Sequence, residues 1–202
     1  KIMNVDDAGA VAYSSFEADS KGGWNYDQAK VIADEGVTGQ KIYELSSSGI
    51  SKYVTPLLPQ PPALAYDKKY LLAFWVKGSV PNVVTTQPDP GGGSTIIMNA
   101  ATVPKRVKGE WKYFEVIIQN AVQVNISVAS PQSPAAFIDE LRLHPINAQR
   151  STITYKPLVG ITSETNLNGR SVYYEYDNLG RLHIVKDDNA NILKTTQYNY
   201  KQ

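Results

Sequence analysis

Cysteine is absent from the 202 residues, which excludes disulfides, thiolate metal centres and thiol nucleophiles. Charge of one sign is also missing as a feature. The 20 Lys and Arg and 19 Asp and Glu leave a net charge of +1, spread along the chain, with no footprint for nucleic acid or an anionic membrane. No apolar run is long enough to span a bilayer, and the opening "KIMNVDDAGA" has no signal-peptide core. The chain therefore reads as a mature fragment or an excised segment.

Catalytic constellations are missing as well. Histidine is limited to His144 and His183, and no Gly-x-Ser-x-Gly, His-Glu-x-x-His or phosphate loop occurs. "PGGGST" leads into a strand-like segment rather than a helix, so it reads as a hairpin loop. Adjacent carboxylates such as Asp6-Asp7 and Asp139-Glu140 point to opposite faces in a strand, whereas glycoside hydrolysis needs two that face each other. No catalytic residue is nominated, and the chain is expected not to be an enzyme.

What is present is period-2 alternation. "KYLLAFWVKG" sets Leu72, Phe74 and Val76 against Leu71, Ala73, Trp75 and Lys77. "WKYFEVIIQN" sets Phe114, Val116 and Ile118 against Trp111, Tyr113, Glu115 and Ile117. "VQVNISVAS" sets four aliphatic residues against Asn125 and Ser127, and "AFIDELRLHP" carries Phe137, Leu141 and Leu143 at even spacing. Breakers such as "LLPQPPAL" and "TTQPDPGGGST" separate these runs. Short strands of this kind predict an all-β chain, with a two-sheet β-sandwich over residues 1–146. The one candidate for helical turns is "NYDQAKVIADEG". "HPINAQRST" marks a boundary before a second segment at 150–202.

That second segment repeats. "TYKPLVGI" lies over "EYDNLGRL" at an offset of 21, and "NLNG" lies over "DDNA" at the same offset. Asp177 can accept backbone N–H groups inside a turn that Gly180 closes with positive φ, and Asn168-Gly169 is a hairpin signal at the opposite end. An antiparallel meander follows, with turns near 168–169, 177–180 and 188–191.

Sugar recognition would need aromatic platforms. Trp24, Trp75, Trp111, Tyr26, Tyr53 and Tyr66 are the candidates, although packing is the commoner use of a large aromatic. Trp75 alternates away from Phe74, so it is expected on the sheet face outside the core, as a ligand platform or a docking surface.

"YDNLGRL" (176–182) resembles the YD-repeat, or Rhs-repeat, family, and "YKPLVGI" resembles a degenerate terminal copy. That resemblance covers about the last 50 residues. It implies further repeats of the same chain beyond Gln202, and a spacer or scaffold role in a bacterial surface or secreted protein. In "SFEADSKGGW", "YLLAFWVKG", "GEWKYFEV" and "AAFIDELRLHP" the first segment resembles jelly-roll carbohydrate-binding modules of the galactose-binding-like class. The resemblance implies a non-catalytic binding or adhesion module with a glycan partner, in an extracellular or cell-surface setting. It also implies a structural calcium shared by Glu17 and Asp139. Strict alternation places Asp139 on the side of Phe137, Leu141 and Leu143, where a carboxylate needs a cation or backbone N–H groups at a β-bulge. The alternative role is a structural cap or spacer of a repeat shell, of the polymorphic-toxin type, with no ligand of its own.

Overall fold

The computed structural model describes residues 2–3, 11–54, 68–87, 93–129, 134–166 and 168–198. Among them every regular element is a strand except one 3-10 turn, Gln28–Lys30, which Asp27 caps by accepting the N–H of Ala29. The helical turns expected over 25–36 reduce to that single element.

In chain order the strands are β1 (Ile2–Met3), β2 (Ala12–Ser14), β3 (Val31–Ala33), β4 (Lys41–Glu44), β5 (Ile50–Tyr53) and β6 (Lys69–Gly78). There follow β7 (Asn82–Thr86), β8 (Ser94–Met98), β9 (Arg106–Lys108), β10 (Trp111–Gln119), β11 (Gln123–Ser127) and β12 (Ala136–Pro145). The last are β13 (Gln149–Arg150), β14 (Thr152–Lys156), β15 (Gly160–Thr165), β16 (Ser171–Tyr176), β17 (Leu182–Lys186) and β18 (Ile192–Thr195).

The chain divides into two compact units, Val5–Asn147 and a second formed by Ala148–Gln202 with Lys1–Asn4. The sequence gives no hint that β1 leaves the sandwich segment, yet Ile2 pairs with Arg150 and Met3 with Gln149.

The first unit is a sandwich. A seven-stranded sheet runs β3-β4-β12-β6-β10-β9, with β2 also paired to β12, and a four-stranded sheet runs β5-β11-β7-β8. Alternation builds the layer between them. Leu72, Phe74 and Val76 of β6, Phe114, Val116 and Ile118 of β10, and Val124 and Ile126 of β11 share one buried cluster. Each such side chain taken out of water contributes about 1.5–3 kcal/mol.

Strand β12 breaks its own alternation. Its register on β6 shifts between Asp139 and Arg142, and Glu140 sits at φ 55. The bulge moves Leu141 and Leu143 into the same core as Ile138, leaving Phe137 on the other face. Asp139 is therefore not on the side of Leu141 and Leu143.

The second unit carries a five-stranded antiparallel meander, β14-β15-β16-β17-β18. Three of its hairpin turns are built alike. Asn166, Asp177 and Asp187 each accept two backbone N–H groups on one side-chain oxygen, from the residues two and four further on, at 2.8–3.1 Å. Gly169, Gly180 and Ala190 then take φ 65, 72 and 65. In each turn the third loop residue is left-handed, as three-residue hairpin loops require. The β14–β15 turn departs from this pattern, with Leu158 at φ 61.

Candidate functional site

Trp75 lies on the face away from Phe74, as alternation predicts, but that face is closed there. Val37, Ile42, Ala73, Trp111 and Tyr113 form a second buried cluster with it, and Trp75 is 5% exposed. Its ring lies 5.1 Å from that of Tyr113, and the Arg106 guanidinium covers both, 5.6 Å from Trp75 and 4.6 Å from Tyr113. Lys77 covers Trp111 in the same way at 5.6 Å and pairs with Asp34 at 3.1 Å. In this conformation Trp75 cannot serve as an open platform.

Trp24 and Tyr26 belong to the inter-sheet core, where Tyr26 packs edge-on to Phe16 and Tyr43 at 5.5 and 5.2 Å. Neither presents a ring to a ligand. Tyr66 lies outside the described residues. Tyr53 alone among the described candidates is open, at 51% exposure.

The two carboxylates expected to share calcium are separately occupied. Asp139 Oδ2 accepts the N–H groups of Val37 (2.7 Å) and Thr38 (3.1 Å), and Oδ1 accepts that of Glu140 (2.7 Å). Glu17 Oε1 accepts Gln40 N–H (2.8 Å) and Lys41 N–H (2.7 Å). Five donors aimed at these oxygens are the reverse of a cation's needs, and calcium seeks six to eight oxygen ligands. Among the described residues no group of three or more His, Asp or Glu gathers that could hold a metal. The residues do not fit calcium; main-chain N–H groups satisfy both carboxylates.

The bulge in β12 also turns Asp139 and Glu140 to one side, where strict alternation separates them. Thr38 touches both, giving its N–H to Asp139 and its hydroxyl to Glu140 Oε1 at 2.6 Å. Tyr13 donates to the same oxygen at 2.8 Å, and buried Arg142 pairs with Glu140 Oε2. Burial and the neighbouring Glu140 charge push the Asp139 carboxyl well above the ordinary range, against its three N–H donors. Burial pushes Glu140 up too, but Arg142 and the Thr38 hydroxyl outweigh it and hold it below its usual value. Both carboxyl groups are sealed from solvent, so they fasten the 34–40 loop rather than confront a substrate.

His144 is buried on β12, its Nδ1 2.7 Å from the Pro145 carbonyl. His183 is exposed on β17, 3.2 Å from the Thr196 carbonyl.

An open surface emerges from register rather than from any motif. On the face of the four-stranded sheet away from the core, Asn25 pairs with Ser51, Ser51 with Asn125, Asn125 with Val84 and Val84 with Ile96. Beside this row Tyr53 pairs with Gln123, Gln123 with Thr86 and Thr86 with Ser94, while Asn82 pairs with Ser127. Directly paired antiparallel residues stand side by side on one face. The described residues of these rows include no charged side chain. Among them the carboxamides of Asn82, Gln123 and Asn125 have no protein hydrogen-bond partner, so each offers two donors and an acceptor. Lys52, between Ser51 and Tyr53 on β5, has the opposite parity and reaches the Gly23 carbonyl at 3.3 Å. Sequence reasoning found Tyr53 and missed its neighbours, because small polar residues on alternate strand positions look like ordinary solvent faces.

No family model matches the chain, and no curated protein matches it. Solved structures give distant similarities. The CBM22-1 xylan-binding domain from Paenibacillus barcinonensis Xyn10C is similar at 14% identity and TM-score 0.42, over 66% of this chain and 92% of that one. The CBM22-1–CBM22-2 tandem domain of the same protein is similar at 11% identity and TM-score 0.42, over 81% of this chain and 63% of that one. The CBM22-1–GH10 modules of Clostridium thermocellum endo-1,4-beta-D-xylanase 10B, complexed with xylohexaose, are similar at 15% identity and TM-score 0.34, over 68% of this chain and 26% of that one. These three similarities are distant, and each is to a protein that contains a CBM22 module.

Proposed function

We propose that the chain is a non-catalytic, neutral-glycan-binding module of a larger secreted or cell-surface protein, and that the outer face of the four-stranded sheet is its binding surface. One observation carries the reading: uncharged rows of unengaged carboxamides and hydroxyls flank an exposed Tyr53. A polyol presents hydroxyls that both donate and accept, which matches carboxamides better than ions. The apolar side of a pyranose matches an amphipathic tyrosine ring. An open face with one aromatic buries little of its ligand, so binding should be weak, in the range of about 10⁻⁴ M or weaker.

Affinity electrophoresis tests this. Xylan, named in the similar domains, should be run beside glucomannan and an anionic polysaccharide such as pectate. The reading expects retardation by a neutral polymer that is insensitive to salt. Retardation by pectate alone, abolished by salt, would replace it with an ionic mode.

The meander supports a second, compatible role as a spacer built of YD-type units. Tyr176 Oη donates to the Ile161 carbonyl at 2.9 Å and Tyr198 Oη to that of Leu182 at 3.0 Å. A clamp that recurs along with the turns is what a repeating array requires. Cooperative melting by an isolated 148–202 segment would count against the array reading.

A further inference from the structure

The carboxamide row ends in an aliphatic pair, and this sets which neutral glycan the face suits. Resting on the binding face proposed above, the geometry points to an O-acetylated polysaccharide, its acetyl methyl seated on Val84 and Ile96. Val84 stands opposite Asn125, and Ile96 stands opposite Val84 at the open end of the row. Ile96 is 59% exposed and Val84 half-buried, so the pair has apolar surface left to cover. A lone exposed isoleucine needs no explanation. Two aliphatic residues in register with unengaged hydrogen-bonding groups form a composite surface.

Branched aliphatic side chains are not flat, so they do not stack a pyranose ring as Tyr53 can. They match a methyl group instead. Neighbouring strands stand about 4.8 Å apart, and alternate residues on one strand about 7 Å apart. Asn125 and Thr86 are therefore each within one such step of Val84. An O-acetyl group uses both kinds of neighbour: its methyl lies on the aliphatic pair while its ester carbonyl accepts from the Asn125 amide or the Thr86 hydroxyl. The methyl of a 6-deoxy sugar brings no acceptor with it. A sulfate or carboxylate substituent would find no cation on these rows.

The test compares acetylated xylan and acetylated glucomannan, each beside its alkali-deacetylated form, by affinity electrophoresis with the full chain. Deacetylation of the bound polymer should weaken binding about fourfold, the worth of one buried methyl-sized group. Ile96→Asn should bring the ratio of acetylated to deacetylated affinity down to about one. Val107→Asn, an equally exposed apolar position on β9 of the other sheet, should change neither. Equal binding of both forms, or a preference that survives Ile96→Asn, overturns the acetyl assignment and leaves the binding face standing. Failure of all four polymers to bind overturns both.

Discussion

Asp139 Oδ2 holds the backbone N–H of Val37 at 2.7 Å across 102 positions of sequence. This contact joins the bulge in β12 to the 34–40 loop, and that loop carries Val37 onto Trp75. Gly36 makes the approach possible, since a Cβ there would lie 2.6 Å from the same carboxylate oxygen. The closed state of the Trp75 face is thus a consequence of one carboxylate satisfied by main chain.

Asp139→Ala should strip three buried N–H groups of their acceptor and cost on the order of 3 kcal/mol. Chemical denaturation of the whole chain would measure it. Because those N–H groups rather than a cation satisfy the carboxylate, chelator should leave the melting temperature of the wild-type protein unchanged. A chelator-dependent drop that Asp139→Ala abolishes would restore calcium.

The three similar turns predict opposite effects at two of their left-handed positions. Ala190 adopts φ 65 without the freedom of glycine, so Ala190→Gly should stabilise the meander by about 1 kcal/mol. Gly180→Ala should destabilise it by a similar amount, since nothing lies within 4 Å of an added Cβ and the backbone conformation alone is penalised. Hydrogen exchange of the neighbouring strand amides reads both changes.

Asp177 and Asp187 should titrate low. The Arg181 side chain, with backbone N–H groups behind it, holds Asp177 below 3.8, and the Asn191 side chain does the same for Asp187. A depressed carboxyl adds stability that is complete above the unfolded value and is lost as pH falls through the folded one. Acid should therefore loosen these turns only below about pH 4. Carboxyl carbon titration by NMR checks it, and midpoints at or above 3.8 would contradict the turn geometry.

Much of the fold was legible where alternation was uninterrupted. Phe74 against Trp75 and Phe114 against Tyr113 fall on the faces their spacing dictates. Asp177 and Gly180 take the roles their types suggest. What escaped the sequence was non-local. The bulge at Glu140 reverses the parity of β12 without any breaker residue to announce it. Trp75 faces away from the inter-sheet core and is still buried, because a loop some forty residues earlier folds over it. The pairing of Ile2 with Arg150 draws the first residues of the chain into the second unit. The candidate surface was hidden for a related reason: Asn25, Ser51, Asn125 and Val84 come from four separate stretches and meet only through strand register.

The most direct measurement is an amide NMR titration of the full chain with neutral oligosaccharides, those of xylan and glucomannan first. Binding on the proposed face should shift Ser51–Tyr53, Asn82–Thr86 and Gln123–Ser127 together, and Tyr53→Ala with Asn125→Ala should abolish the response without loss of folding. Shifts centred on Trp75, Trp111 and Tyr113, or no response of the four-stranded sheet to any neutral sugar, would contradict the account.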